Sequence, residues 1–398
     1  FQDEFFEEHY PEQEIWDSVD RLIEQDKLSH PERYESKTEL PDKDKLDLSK
    51  FKAITTGDIE RLKNEMGSQE FFIEPFLPNT GTIMQVFGYS GHGKSMFIRH
   101  ALYAASSMQK KFGPFDINKT PVILYFDFEN SRSNVVKFLD RSARSFGDAK
   151  DNFQIWCPFD NEDQITLNTD EGRRLFFQWV AATQPSVVVI DTVRSAFPGM
   201  SENSAEDWAK VNELALRLRN NGISVVLVHH SNKPGEGGLG REAGSTNQLT
   251  TLETQIRVTQ VYRDKEQAIQ NAGIYDGDLE YSVYGRFESF NSIKQDERLD
   301  LVLQLRYGKV REWTDMHEPV QYIGFVSNSY TKTVRIHSFK SPKQKARELC
   351  RPYITISGEQ KPAMTDEEIA NRLDKPVSVV REWTAFHRIQ DEYQSEKA

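Results

Sequence analysis

The segment Gly88-Tyr89-Ser90-Gly91-His92-Gly93-Lys94-Ser95 decides the fold. It fits G-x-x-x-x-G-K-[ST] in full. It also lies between an apolar run that reads as a strand, Thr82–Phe87, and a helical stretch from Lys94 to about Lys110, the context that gives the pattern its meaning. Glycines at 88, 91 and 93 let the backbone curl until successive N–H groups point inward at phosphate oxygens. The helix that follows adds the partial positive charge of its N-terminus. Lys94 is expected to reach the β- and γ-phosphates of a nucleoside triphosphate, and the Ser95 hydroxyl to ligate Mg2+. Residues 88–95 with Met96 form the expected nucleotide-binding set.

Outward from this loop, Pro121–Phe128 reads as a second strand and Phe153–Trp156 as another. Ser186–Ile190 and Ile223–Val228 are near-continuous apolar runs, as expected of strands buried on both faces. Helical stretches at about Glu171–Thr183 and Glu206–Asn220 separate them. This alternation predicts an α/β fold with a mostly parallel central sheet flanked by helices. After residue 249 the texture turns to β, and Gln255–Val261, Leu299–Arg306, Tyr322–Val326 and Thr333–Ser338 are expected to extend the same sheet. The expected organisation is an acidic arm over 1–65, a nucleotide-binding core over 66–340 and a small helical unit over 341–398.

Three further groups carry the chemistry. Asp191 closes the run SVVVI, where a carboxylate can support Mg2+ through water. Glu129 follows VILYFDF directly and is the candidate to orient an attacking water, with Asp127 as its competitor. Glu129 is preferred because it lies nearer the C-terminal edge of its strand, where ligands bind in open α/β sheets. His229 and His230 end the run ISVVLV on that edge, and His230 is the candidate to register the γ-phosphate. Adjacent strand side chains diverge to opposite faces, which argues against a shared metal at this pair.

Composition bounds the alternatives. The chain has 398 residues, with 50 Lys and Arg against 62 Asp and Glu, a formal net charge of −12. No run of about 18 apolar residues occurs, so no membrane-spanning helix is expected. Two cysteines, Cys157 and Cys350, exclude a disulfide scaffold or a Cys-rich zinc module and suit a cytoplasmic location. Residues 1–50 hold 16 acidic and 7 basic side chains, leaving 46 and 43 in the remainder. The charge thus excludes a broadly basic nucleic-acid coat, while the main body is nearly neutral. Within the arm, Ile15, Val19, Leu22 and Ile23 have helical spacing, for a surface helix or a docking element. Phe1, rather than Met, suggests that something lies upstream.

In this order, GYSGHGKS, FDFEN, VVVIDTVRSAFPG and VVLVHHSNKPG resemble the RecA-like ATPases, and among them the RepA-like hexameric helicases of plasmids and phages. The resemblance spans about residues 70–340. GREAGSTNQ and VYRDK are similar to segments of DnaB-type replicative helicases. Arg306-Tyr307-Gly308 resembles the segment of that family that supplies an arginine finger to the neighbouring subunit, with Gln304 where the family has Lys. Arg241 is the alternative finger, since RepA-like proteins place theirs just before Gly-Ser. The resemblance implies ATP and Mg2+ as cofactors, a homo-hexamer, single-stranded DNA as partner, and a primase or replication-initiation protein nearby. It also implies that the loops 197–207 and 232–249 face a central channel, the second bringing Lys233 and Arg241 to DNA.

The C-terminal segment reads separately as a helix-turn-helix. Thr365 and Glu368 have capping-box spacing at the start of a first helix. Asp374-Lys-Pro is a turn, and Val377–Ile389 is a second helix presenting Ser378, Arg381 and Arg388. With 10 acidic and 10 basic residues over 341–398, both DNA and protein contacts stay open for it.

Overall fold

A computed structural model describes residues 55–61, 71–158, 165–201, 204–231, 251–262, 264–275, 297–310, 319–339, 342–354 and 360–385. The chain divides into two units, Phe1–Gly67 and Ser68–Ala398. In the first, the described residues include a 3-10 turn at Thr56–Asp58 closed by a reciprocal capping box between Thr55 and Asp58.

The second unit begins with β1 (Phe71–Glu74), β2 (Leu77–Pro78), β3 (Ile83–Gly88), α1 (Lys94–Ser106), β4 (Lys111–Phe112), β5 (Phe115–Ile117) and β6 (Ile123–Asp127). It continues through α2 (Arg132–Phe146), β7 (Phe153–Trp156), α3 (Asp170–Thr183), β8 (Val187–Asp191), α4 (Val193–Ala196), α5 (Ala205–Asn220) and β9 (Ser224–His230). Then follow β10 (Thr254–Tyr262), α6 (Lys265–Gln270), β11 (Ile274–Tyr275), β12 (Glu297–Val310), β13 (Val320–Asn328) and β14 (Val334–Phe339). The C-terminal part holds α7 (Pro342–Leu349), β15 (Tyr353–Ile354), β16 (Gln360–Lys361), α8 (Asp366–Leu373) and α9 (377–385).

The fold is α/β around a mostly parallel sheet. Its order is β14-β13-β12-β10-β3-β9-β8-β6-β7, with β11 beside β10. The strands from β10 to β7 run parallel, while β12, β13 and β14 are antiparallel additions on the β10 side. The inner strands β3, β6 and β8 are buried along their whole length, which explains their unbroken apolar runs. Met84, Val86, Val187 and Val189 face one core with Phe97, Ile98 and Leu102 of α1. Ile83, Val188 and Ile190 face the other with Phe176 of α3 and Trp208 of α5. Each such large apolar side chain, fully buried, contributes about 1.5–3 kcal/mol. Ser204 caps α5 by accepting from the Asp207 N–H, with acids in its first turn and Arg217 and Arg219 in its last, matching the helix dipole.

Two sequence expectations require correction. Helix α1 ends at Ser106 rather than near Lys110, and Met108 adopts φ 60° just beyond it. Lys111–Ile117 then forms a hairpin that joins β1 and β2 in a second, four-stranded antiparallel sheet, β2-β1-β5-β4. These strands are two to four residues long, too short for a period-two pattern to stand out in sequence. The expected loop 197–207 is likewise cut short, because α5 begins at Ala205.

The C-terminal elements close on their own cluster of Ala346, Cys350, Ile369, Ala370 and Val380. Thr365 and Glu368 make the reciprocal capping box. Asp374, at φ 53°, ends α8 three residues before α9. Among the described residues no helix is long and apolar enough to cross a membrane.

Candidate nucleotide site

Parallel strands deliver their C-terminal residues to one edge of the sheet. Gly88 stands level with His230, and Asp127 with Asp191. Because β9 lies between β3 and β8, His230 arrives between the phosphate loop and the Asp191 strand. Loop closure depends on glycine at two positions in particular. Gly93 adopts φ 77° at the head of α1, and a Cβ on Gly88 would stand 2.2 Å from the Val258 carbonyl oxygen. The Phe97 N–H bonds to the Gly93 carbonyl, so the amides of Lys94, Ser95 and Met96 precede the helix's own ladder and are available to phosphate. The Met96 side chain packs against the core, so its contribution would be its amide.

Lys94 is buried. Its Nζ donates to the Tyr89 carbonyl at 2.7 Å and to His230 Nδ1 at 3.2 Å. Desolvation lowers its pKa to about 8, against the upward pull of Asp191 and Glu129. With Nδ1 accepting from the lysine, Nε2 is the ring nitrogen that donates toward Glu129. Nε2 lies 3.5 Å from Glu129 Oε1.

Ser95 Oγ donates to Asp191 Oδ1 at 3.0 Å. One hydroxyl and one carboxylate are hard oxygen donors suited to Mg2+, which keeps waters and takes phosphate oxygens. Among the described residues no group of three or more His, Cys, Asp and Glu side chains could hold a metal alone. The Ser95 hydroxyl and the Asp191 carboxylate fit a cation whose remaining ligands are water and phosphate oxygens.

Strand β6 ends at Asp127, so Glu129 lies in a turn and not on the strand. Asp127 Oδ1 accepts from the Glu129 and Asn130 amides and from the Asn130 side chain. Asp127 thus shapes the turn that carries Glu129. The Glu129 carboxylate accepts from Thr192 Oγ1 at 2.7 Å and Ser195 Oγ at 3.0 Å. Hydrogen bonding from His230, together with these hydroxyls, lowers its pKa to about 2. Sequence reasoning missed Thr192 and Ser195, although both stand in DTVRSA directly after Asp191.

The remaining candidates disperse. His92 is buried, its Nδ1 accepting from the Gln260 amide and its Nε2 facing the Asn271 carbonyl at 2.8 Å. Its ring ties the loop to β10, leaving only its amide for phosphate. His229 packs edge-on against Trp208 in the core. Arg306 is exposed on β12, directly opposite Arg257 of β10. Arg257, which the sequence did not single out, has its buried Nη2 without a hydrogen-bond partner. Ser378 is exposed on α9, whereas Arg381 donates to Glu367 at 2.8 Å. Lys233, Arg241 and Arg388, with the loop 232–249, lie outside the described residues.

The central sheet places one strand between the phosphate-loop strand and the Asp191 strand, with a glutamate beyond the tip of the next. The core is an α/β P-loop fold. Residues 47–236 match a family model described as an AAA domain, and no curated protein matches the chain. Among solved structures, a KaiC-like protein from the hyperthermophilic archaeon Pyrococcus horikoshii OT3 is similar at 15% identity. That similarity covers 68% of this chain and 94% of that one, with a TM-score of 0.39. The domain match spans the phosphate loop, Glu129, Asp191 and His230.

Proposed function

We propose that this RecA-like core hydrolyses ATP as a ring-forming motor on DNA, of the replicative helicase type. The observation that carries the hydrolytic part is the sequence of contacts Lys94–His230–Glu129 beside Ser95–Asp191. In one site it joins a phosphate-binding cation, a sensor, a water-orienting carboxylate and a metal-side pair. Lys94 holds the β- and γ-phosphates, and the amides of residues 91–96 cradle their oxygens. Ser95 and Asp191 would hold Mg2+, which neutralises charge developing on the phosphates. Glu129 orients the attacking water and accepts its proton. When Lys94 turns to phosphate, His230 Nδ1 loses its donor, and the ring can report this to Glu129 and to the segment after Ser231.

A hexamer, the trans arginine (Arg306 or Arg241) and DNA contacts from Lys233, Arg241, Ser378, Arg381 and Arg388 complete this reading. Measuring ATP turnover with and without single-stranded DNA, followed by strand separation on a forked duplex, tests it. Turnover unaffected by DNA would refute the motor reading while leaving ATP hydrolysis in place. A second reading, a nucleotide-switched assembly protein with α8–α9 as a protein adaptor, draws on one observation. Arg381, the basic group of α9 among the described residues, is paired with Glu367 of α8. Under that reading ATP drives assembly and DNA leaves turnover unchanged.

A further inference from the structure

Behind Ser95 and Asp191 lies a buried cluster to which the hydrolytic reading gives no task. Asp127 and Asp191 occupy matched positions on adjacent strands and are fully buried, where two carboxylates strongly oppose one another. Arg99 of α1, itself buried, places Nη2 3.0 Å from Asp127 Oδ2 and 3.4 Å from Asp191 Oδ2. The first contact is one of charge, since Asp127 Oδ2 lacks an aligned hydrogen bond. Tyr125, buried on β6, donates its hydroxyl to Asp191 Oδ2 at 2.5 Å. The guanidinium is held by the rings of Tyr125 and Phe138, each centroid 5.2 Å away.

We infer that Arg99 and Tyr125 are positioning residues for the divalent cation at Ser95 and Asp191. Their contacts saturate Oδ2 of Asp191 from behind, so that Oδ1 alone stays directed at Ser95. Free rotation of the carboxylate would break either the Tyr125 bond or the Ser95 bond. The arrangement follows from the helix: Arg99 lies four residues after Ser95, so both project from one face of α1. Arg99 also fixes Asp127, whose other oxygen builds the turn that carries Glu129. One side chain therefore links the metal half of the site to the water half. A lysine could keep the charge but not the planar group that lies over two rings and reaches two carboxylates.

This inference rests on reading Ser95 and Asp191 as the metal-side pair, and the experiment separates the two. Binding of a fluorescent ATP analogue to the full chain is titrated first in EDTA and then with Mn2+, alongside melting temperatures. Tyr125→Phe should bind the analogue in EDTA within about twofold of wild type, yet need about tenfold or more Mn2+ for the half-maximal metal response, as usual when a residue supporting a metal ligand is lost. Arg99→Lys should shift the Mn2+ midpoint in the same direction. A folded Tyr125→Phe protein with the wild-type midpoint overturns the positioning role alone. Nucleotide binding by the wild type that ignores Mn2+ overturns the metal-side reading and this inference with it.

Discussion

Lys94 Nζ and His230 Nδ1 stand 3.2 Å apart, so the lysine that should meet the γ-phosphate is engaged by the residue placed to sense it. The contact also makes the histidine ring an acceptor on one side and a donor toward Glu129 on the other. His230→Ala should therefore leave ATP affinity within a few fold while lowering kcat by about 10²-fold, the usual scale for a lost proton-transfer or positioning group. Binding and single-turnover hydrolysis measured together would show this. A parallel fall in both would mean that His230 serves only to hold Lys94.

Glu129→Gln should lower kcat by about 10²–10⁴-fold with nucleotide affinity retained, because a neutral amide cannot accept a proton from water. Thr192 and Ser195 keep the replacement in place, since both hydroxyls can donate to an amide oxygen. With a pKa near 2, Glu129 stays ionised down to strongly acidic pH. An acid limb of turnover near pH 4–5 that vanishes in Glu129→Gln would contradict this.

The Lys94 pKa of about 8 sets the alkaline behaviour of binding. Phosphate stabilises the charged lysine, so its pKa rises in the complex. Affinity is therefore full below pH 8 and declines above it, by up to about tenfold per unit until the pKa of the complex is reached. Dissociation constants measured between pH 7 and 9.5 should show this fall. A flat profile would place the lysine's titration well above pH 8.

Gly88→Ala would press a methyl group onto the Val258 carbonyl oxygen, 2.2 Å from the ideal Cβ position. Overpacking of this kind costs about 1–3 kcal/mol. The contact is with backbone of β10, so little relief is available. Chemical denaturation should give a lower midpoint, and ATP binding should weaken as the loop is displaced. Wild-type values for both would show that β10 yields there.

Arg306→Ala should retain nucleotide affinity but lose turnover, and mixing it with a Lys94→Ala chain should restore part of the rate. The first chain supplies an intact phosphate loop and the second an intact arginine. If mixing restores nothing, the exposed Arg306 is not the trans group.

The cradle, the Asp191 strand end and the Thr365–Glu368 cap were legible because each depends on residues close in sequence. Glu129 was separable from Asp127 only in part. Their order along the chain is visible, but which one caps a turn and which accepts from Thr192 depends on β6 pairing with β8. Arg257 beside Arg306 was invisible, since more than forty residues separate two positions that become neighbours across β10 and β12. The small sheet of β1, β2, β4 and β5 was missed because its strands interdigitate around β3 and α1 in chain order.

The sequence alone determined the glycine-rich loop at residues 88–95 and its α/β core, because glycine backbone freedom and unbroken apolar runs are local properties. Tertiary structure decided that His230 bridges Lys94 and Glu129, and that Arg99 and Tyr125 stand behind Asp191. The strand order β3-β9-β8-β6 and the burial of two carboxylates create those relationships, because they join side chains from strands far apart in the chain.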